Sequence, residues 1–169
     1  MADSLPTQGD CPMKTIVRLI ACAALLAVVF PLAAAEDEKV EADKLPQKVK
    51  DTLKTRWATA KITVATKTME DGAVVYDIEM TQDGKKREAD IKEDGSIVNF
   101  ENQIAIKDLP KAVADAVKAK HPDAKIKEAM ETLVIKDGKD VVDEYEVLLV
   151  TGDNKEVELT VSPDGKKIE

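Results

Sequence analysis

The chain repeats itself, and the repeat limits its possible folds more than any other feature. Leu45-Pro46-Gln47-Lys48-Val49 returns 64 residues later as Leu109-Pro110-Lys111-Ala112-Val113. The same spacing carries Leu53 to Val117, Trp57 to His121, Lys61-Ile62 to Lys125-Ile126 and Ala65 to Ala129. Further along, Tyr76 is matched by Tyr145 at a spacing of 69, and Asp94-Gly95 by Asp164-Gly165 at 70. The second copy therefore holds five extra residues in its first hairpin. Two copies of one short unit predict two copies of one supersecondary structure.

Each copy opens with a helix pattern. Leu45, Val49, Leu53 and Trp57 stand four apart and form one apolar stripe; Leu109, Val113 and Val117 repeat it, widened by Ala112 and Ala116. Asp108 is placed as N-cap of the second helix, with Pro110 in its first turn, and Pro122 closes it. Strands punctuated by turns follow. Asp71-Gly72, Asp83-Gly84 and Asp94-Gly95 divide the first copy; Asp137-Gly138, Gly152-Asp153-Asn154 and Asp164-Gly165 divide the second. Asp-Gly supplies the positive φ that tight hairpin turns require. Between turns, Val74, Tyr76, Ile78 and Met80 alternate with Asp77 and Glu79, and Tyr145, Val147 and Leu149 alternate with Glu144, Glu146 and Leu148. The expected class is α+β: two tandem repeats, each one helix followed by a four-stranded antiparallel sheet, with the helix packed on one sheet face. The first repeat spans 45–101, the linker 102–107 and the second repeat 108–169. The linker has no Gly/Ser or Pro-rich run, which predicts a fixed arrangement of the copies.

The region before the first repeat has another character. Met13, Lys14 and Arg18 give a basic start, Leu19 to Leu32 is mainly apolar, and Ala33-Ala34-Ala35 precedes acidic Glu36-Asp37-Glu38. That order matches a secretory signal peptide over 1–35, cut after Ala35. Asp3 and Asp10 do not suit such a leader and place the natural start at Met13. Leu19-Ile20-Ala21-Cys22 offers the alternative of a lipoprotein anchored at Cys22. The charged segment 36–44 lacks an apolar period and reads as a flexible tether. The expected location is periplasmic or secreted, with no membrane span in the mature protein.

Composition narrows the function. Both cysteines, Cys11 and Cys22, lie in the leader, so the rest has no disulfide and no thiolate chemistry. The leader holds two basic residues, Lys14 and Arg18, and two acidic ones, Asp3 and Asp10, so the remainder keeps the whole chain's net charge of −8. That charge argues against nucleic acid as a partner, which requires a basic footprint. His121 is the sole histidine, placed at a helix end opposite Trp57 in the repeat. No phosphate-binding glycine loop or calcium-loop pattern is present. The expectation is a non-catalytic protein with no cofactor and no metal site.

Leu-Pro-x-x-Val, a helix ending in an aromatic residue or His-Pro, an Ile-containing strand, then Tyr-x-(Val/Ile)-x-(Leu/Met) and an Asp-Gly turn resembles the PepSY-like family. In its tandem form the pattern resembles the beta-lactamase-inhibitor-like fold. The residues are Leu109-Pro110, His121-Pro122, Ile126, Tyr145-Glu146-Val147-Leu148-Leu149 and Asp164-Gly165, with Trp57-Ala58 a departure in the first copy. The resemblance implies exported proteins that bind or restrain other proteins, peptidases among them, and implies no catalytic residues.

A two-residue loop at Asp83-Gly84 fixes a register: Glu79 faces Glu88, Asp77 faces Asp90, and the apolar pairs fall on the opposite side. A three-residue loop at Gly152–Asn154 pairs Leu149 with Val157, Val147 with Leu159 and Tyr145 with Val161. This leaves Leu148 and Val150 beside Glu156 and Glu158 on the open face. The candidate partner-binding residues are thus Asp77, Glu79, Glu88, Asp90, Leu148, Val150, Glu156 and Glu158. Lys86 and Lys92 stand ready to neutralise the acidic pairs diagonally. The leading reading is a protein-binding module, an inhibitor or regulator of a peptidase or another envelope protein, whose partner is an exported protein with a basic surface. Two alternatives remain open: a solvated charged face without a partner, and a cation-responsive envelope protein binding divalent ions there.

Overall fold

The computed structural model describes residues 38–169; the leader, its cleavage point, Cys22 and the first two residues of the tether lie outside them. Two helices, α1 (Gln47–Arg56) and α2 (Lys111–Lys120), stand with eight strands. The strands are β1 (Glu38–Lys39), β2 (Lys61–Glu70), β3 (Ala73–Gln82), β4 (Lys85–Lys92), β5 (Ile97–Gln103), β6 (Lys125–Lys136), β7 (Lys139–Val150) and β8 (Glu156–Val161). They form one antiparallel sheet in the order β1 to β8, each strand beside its neighbour in sequence. The two copies share this sheet, because β5 pairs with β6 from Phe100↔Leu133 to Gln103↔Met130.

Both helices start later than the sequence pattern placed them. Leu109 is extended (φ −58°, ψ 135°) and Pro110, not Asp108, occupies the N-cap position. The residue before a proline is driven out of the helical region, so no helix can begin at Asp108. The carbonyl of Pro110 accepts from the N–H of Ala114, as that of Pro46 accepts from Lys50, both at 3.0 Å. At the other end, Trp57 and His121 close their helices alike, each N–H donating to the carbonyl four residues back, Leu53 and Val117.

The hairpin loops behave as their sequences require. Asp83 and Gly84 have φ of 54° and 77°, the doubly left-handed pair of a tight hairpin turn. The turn glycines Gly95 and Gly165 lie close against α1 and α2 in matching fashion. A Cβ on Gly95 would sit 3.0 Å from the carbonyl oxygen of Lys48, and one on Gly165 would collide with the carbonyl of Ala112, the repeat counterpart of Lys48. A β-bulge also recurs. Thr63 is extra between Ile62↔Met80 and Val64↔Glu79, and Lys127, 64 residues on, is extra between Ile126↔Leu149 and Glu128↔Leu148. The second copy's longer first hairpin adds a further bulge at Asp143, between Leu133↔Val142 and Thr132↔Glu144.

Each helix covers its own core. Leu45, Val49, Leu53 and Trp57 pack with Ala65, Tyr76, Ile78, Met80, Ala89, Ile91 and Phe100; this cluster also takes in Leu133 from the second copy. Leu109, Val113 and Val117 pack with Ala129, Tyr145, Val147, Leu149, Leu159 and Val161. Between the cores, on the same sheet face, runs a polar row. Arg87 Nη1 donates to Asn102 Oδ1, and Asn102 Nδ2 donates to Glu131 Oε1 at 3.2 Å. Val142 touches both clusters.

Three expectations change in detail. The fourth strand of the second copy is reduced to a single bridge, Val161↔Ile168. Around it the N–H of Ser162 donates to the carbonyl of Lys167 and that of Glu169 to the carbonyl of Thr160. Leu159, at the position of Ala89 in the first copy, is the larger residue beside the place where Phe100 stands in the first copy. In the segment expected as a tether, β1 pairs with β2 through Glu38↔Lys67 and Lys39↔Thr66, the N–H of Val40 donates to Ala65, and Ala42–Lys44 forms a 3-10 turn. The linker is shorter than expected, because Asn102 and Gln103 belong to β5 and Ile106–Asp108 form a second 3-10 turn.

Candidate functional site

The sheet face opposite the helices carries the candidate residues in the register that the loops dictate. Glu79 faces Glu88, Asp77 faces Asp90, Met80 faces Arg87 and Gln82 faces Lys85. In the second copy, Leu149 faces Val157, Val147 faces Leu159 and Tyr145 faces Val161, leaving Leu148 opposite Glu158 and Val150 opposite Glu156. Glu79, Glu156 and Glu158 are exposed, whereas Asp77, Glu88, Asp90, Leu148 and Val150 are half-buried.

Pairing of the two copies enlarges this face. Glu101 of β5 faces Glu88 on one side and Thr132 on the other, and Thr132 faces Glu144. One row therefore crosses five strands as Glu79, Glu88, Glu101, Thr132 and Glu144, at the ~4.8 Å spacing of adjacent strands. A shorter row runs Asp77, Asp90, Asn99, where Asn99 Nδ2 donates to Asp90 Oδ2 at 3.0 Å. Glu146 faces Met130, and Glu128 faces Leu148. Glu101 and Glu128 were not among the candidates. Their signal was available in the alternation: Phe100 and Ala129 face the core, so their neighbours Glu101 and Glu128 face away.

Lys86 gains a partner beyond the acidic pairs it stands beside. Its ammonium lies 2.9 Å from Glu128 Oε2, across the junction between the copies, and its backbone N–H donates to the side chain of Gln103. The hydrogen bond to Glu128 raises its pKa above the ordinary lysine value, helped by the charges of Glu128, Glu88 and Glu79. Glu156 is paired with Lys127, the bulged residue of β6. Burial, followed by the charges of Asp143 and Glu169, pushes the Glu144 carboxyl above the usual range. Thr132 is 6 % exposed, and its Oγ1 meets no hydrogen-bond partner.

Among the described residues, no group of three or more His, Cys, Asp or Glu is placed to hold a metal ion, and no helix is long and apolar enough to cross a membrane. His121 serves as the C-cap of α2. The face is chemically an anionic surface with aliphatic patches, its acids bridged by Lys86 and Lys127.

No protein-family model matches the sequence, and neither does any curated protein sequence. Solved structures do match in fold. A protein of inferred periplasmic location from Bacteroides eggerthii aligns with a TM-score of 0.56 at 16% identity, over 73% of this chain and 87% of that one. A DUF2874 family protein from Bacteroides uniformis aligns with a TM-score of 0.55 at 13% identity, over 73% and 88%. A BLIP-like protein from Bacteroides fragilis aligns with a TM-score of 0.50 at 22% identity, over 73% and 83%. At these identities the likeness is one of fold alone.

Proposed function

We propose that the chain is an exported, non-catalytic protein-binding module of PepSY-like descent, which uses its open sheet face to hold a basic surface of another exported protein. An inhibitor or regulator of a peptidase or other envelope protein is the form this takes. The observation that carries the reading is the acidic row from Glu79 to Glu144, laid across both copies on the face opposite α1 and α2. Like charges placed opposite one another cost a sheet roughly 0.2–1 kcal/mol per pair. Several of them in one row concentrate negative charge on this face, offset in part by Lys86. Electrostatic complementarity of this kind speeds encounter and selects partners. The aliphatic Leu148 and Val150 beside Glu158 and Glu156 add the apolar contact that an interface core needs.

The BLIP-like neighbour supports an inhibitor-like role, and the neighbour of inferred periplasmic location supports export. The Leu-Pro and Tyr-x-Val motifs support the PepSY-like descent. Cleavage after Ala35 belongs to the same proposal, and N-terminal mass spectrometry of exported protein beginning at Glu36 tests it; an acylated Cys22 would replace it with the lipoprotein reading. The main test is capture from a periplasmic extract with the purified chain and with its Glu79→Lys/Glu88→Lys variant. A basic protein retained by the first and lost from the second supports the proposal. Equal retention by both removes the acidic face from it.

A further inference from the structure

The outer edge of β2 carries a second candidate site, and the repeat reveals it. The spacing of 64 residues that relates the copies extends back to Glu38. Glu38, Lys39 and Val40 correspond to Asn102, Gln103 and Ile104, and the 3-10 turn Ala42–Lys44 corresponds to Ile106–Asp108. The pairing agrees: Lys39↔Thr66 and Glu38↔Lys67 match Gln103↔Met130 and Asn102↔Glu131. The N–H of Val40 donates to the carbonyl of Ala65 as that of Ile104 does to Ala129. β1 therefore holds the place on β2 that the end of β5 holds on β6.

The match stops halfway. β5 goes on to pair Glu101 with Thr132 and Phe100 with Leu133. On β2, among the described residues, no strand lies outside Thr68 and Met69, the counterparts of Thr132 and Leu133. Leu133 is 8 % exposed and belongs with Phe100 to the first core, while Met69 is 50 % exposed. Thr68 and Met69 pair on their inner side with Val75 and Val74 of β3, so this stretch is an open sheet edge. β1 itself is exposed and holds on by two residue pairs, the bond from Val40 and a surface ion pair, with Lys67 Nζ 3.6 Å from Glu38 Oε2.

We propose that this edge accepts an extended strand of another polypeptide, laid antiparallel to β2, with an aromatic side chain opposite Met69 and an acidic one two residues on, opposite Lys67. β5 on β6 is the internal precedent: the same element of the repeat, in the same register, holding a strand that has Phe100 at that position. The acid is required because Lys67 stands where Glu131 stands in the second copy. Main-chain hydrogen bonds to an edge give such a contact its affinity, and alternate side chains give it selectivity. β1 is the resident strand, and a longer one displaces it. The site is independent of the acidic row.

The probe is a synthetic peptide of residues 36–41 carrying Glu36→Phe, with the natural 36–41 peptide as control. Amide NMR shifts are followed in the full chain and in its Val40→Pro variant, which loses the bond to Ala65 and so loosens β1. The Glu36→Phe peptide is expected to shift the amides of Lys67 to Glu70 saturably. It is expected to bind the variant more tightly than the parent, because the tethered competitor is weakened. It is also expected to bind about tenfold more tightly than the natural peptide, and Met69→Asp is expected to remove that advantage. Should Val40→Pro fail to fold, Glu38→Lys loosens β1 instead, by setting like charges opposite one another at Lys67. Absence of a saturable shift in both parent and variant overturns the proposal, as does equal binding of the two peptides. Self-association of the loosened variant in place of peptide binding also overturns it, since the edge would then serve a second copy of the chain.

Discussion

The guanidinium of Arg56 lies 2.6 Å from the carboxylate of Asp140, joining the end of α1 in the first copy to the first hairpin of the second. The same guanidinium stands 4.3 Å from the centre of the Phe100 ring and 5.4 Å from that of Trp57. Those two rings meet edge to face at 5.7 Å. Both charged side chains are partly exposed, so the ion pair is worth little by itself, and the aromatic contact adds about 0.5–1 kcal/mol. Arg56→Ala is expected to cost about 1–1.5 kcal/mol in urea unfolding, and Asp140→Ala less than half of that. Equal losses would show that the ion pair, not the ring stack, holds the junction.

Strand phase is read by two adjacent leucines. Leu149 is fully buried under α2, whereas Leu148 is half-buried on the open face. Leu149→Asp is expected to lose several kcal/mol, because an unpaired charge would enter the core. Leu148→Asp is expected to lose about 1 kcal/mol or less. Thermal melts of the two variants compare them; similar melting points would invalidate the assigned face.

The acidic row gives the third outcome. Glu88 stands between Glu79 and Glu101 and attracts Lys86, so Glu88→Lys relieves two like-charge contacts, sets a new one against Lys86, and is expected to change stability by no more than about 1 kcal/mol. Partner binding, measured by surface-immobilised kinetics, is expected to weaken mainly through slower association, with the difference fading as salt is added. A clear drop in stability would mean that Glu88 supports the fold, contrary to its proposed role.

Glu144 links the same face to pH. Its folded pKa is raised, chiefly by burial and then by Asp143 and Glu169, so the folded state holds its proton more tightly than the unfolded chain does. Its charge therefore destabilises the fold progressively as pH rises from the ordinary glutamate value through the raised one. Glu144→Gln is expected to raise the melting temperature at pH 7 and to leave it nearly unchanged at pH 4. The opposite pattern, with stability lost at pH 7, would show that the ionised carboxylate is favourably held.

Thr132 carries a buried hydroxyl without a partner. Replacement by valine keeps the β-branched shape that suits a strand and removes an unsatisfied group. Thr132→Val is expected to stabilise by about 1 kcal/mol in urea unfolding; a comparable loss would reveal a hydrogen bond made by that hydroxyl.

Local patterns reveal some of these features and hide others. The two hairpin registers follow from Asp83-Gly84 and Gly152–Asn154, because a short loop and one apolar face leave a single alignment. The merging of two sheets into one is illegible by such means. Phe100 and Leu133 are brought side by side across a helix and two turns, and nothing adjacent to either residue announces the other. The pairing of Glu38 and Lys39 with β2 was hidden for another reason: it rests on backbone hydrogen bonds, which leave no apolar period in the sequence. The candidate site inherits both conditions. Its hairpin pairs were readable one copy at a time, while Glu101 and the bond from Lys86 to Glu128 needed the junction.

The strand order β1 to β8 has a consequence for how the molecule is made. Every strand of the described residues lies beside the one that precedes it along the chain, with none inserted between two earlier ones. A polypeptide delivered from its N-terminal end can thus build the sheet by addition at one growing edge. Each arriving segment meets a template already in place and never waits for a distant one. Short-range pairing of this kind favours rapid folding, and it lets the first core close, apart from Leu133 and Val142, before the second has emerged.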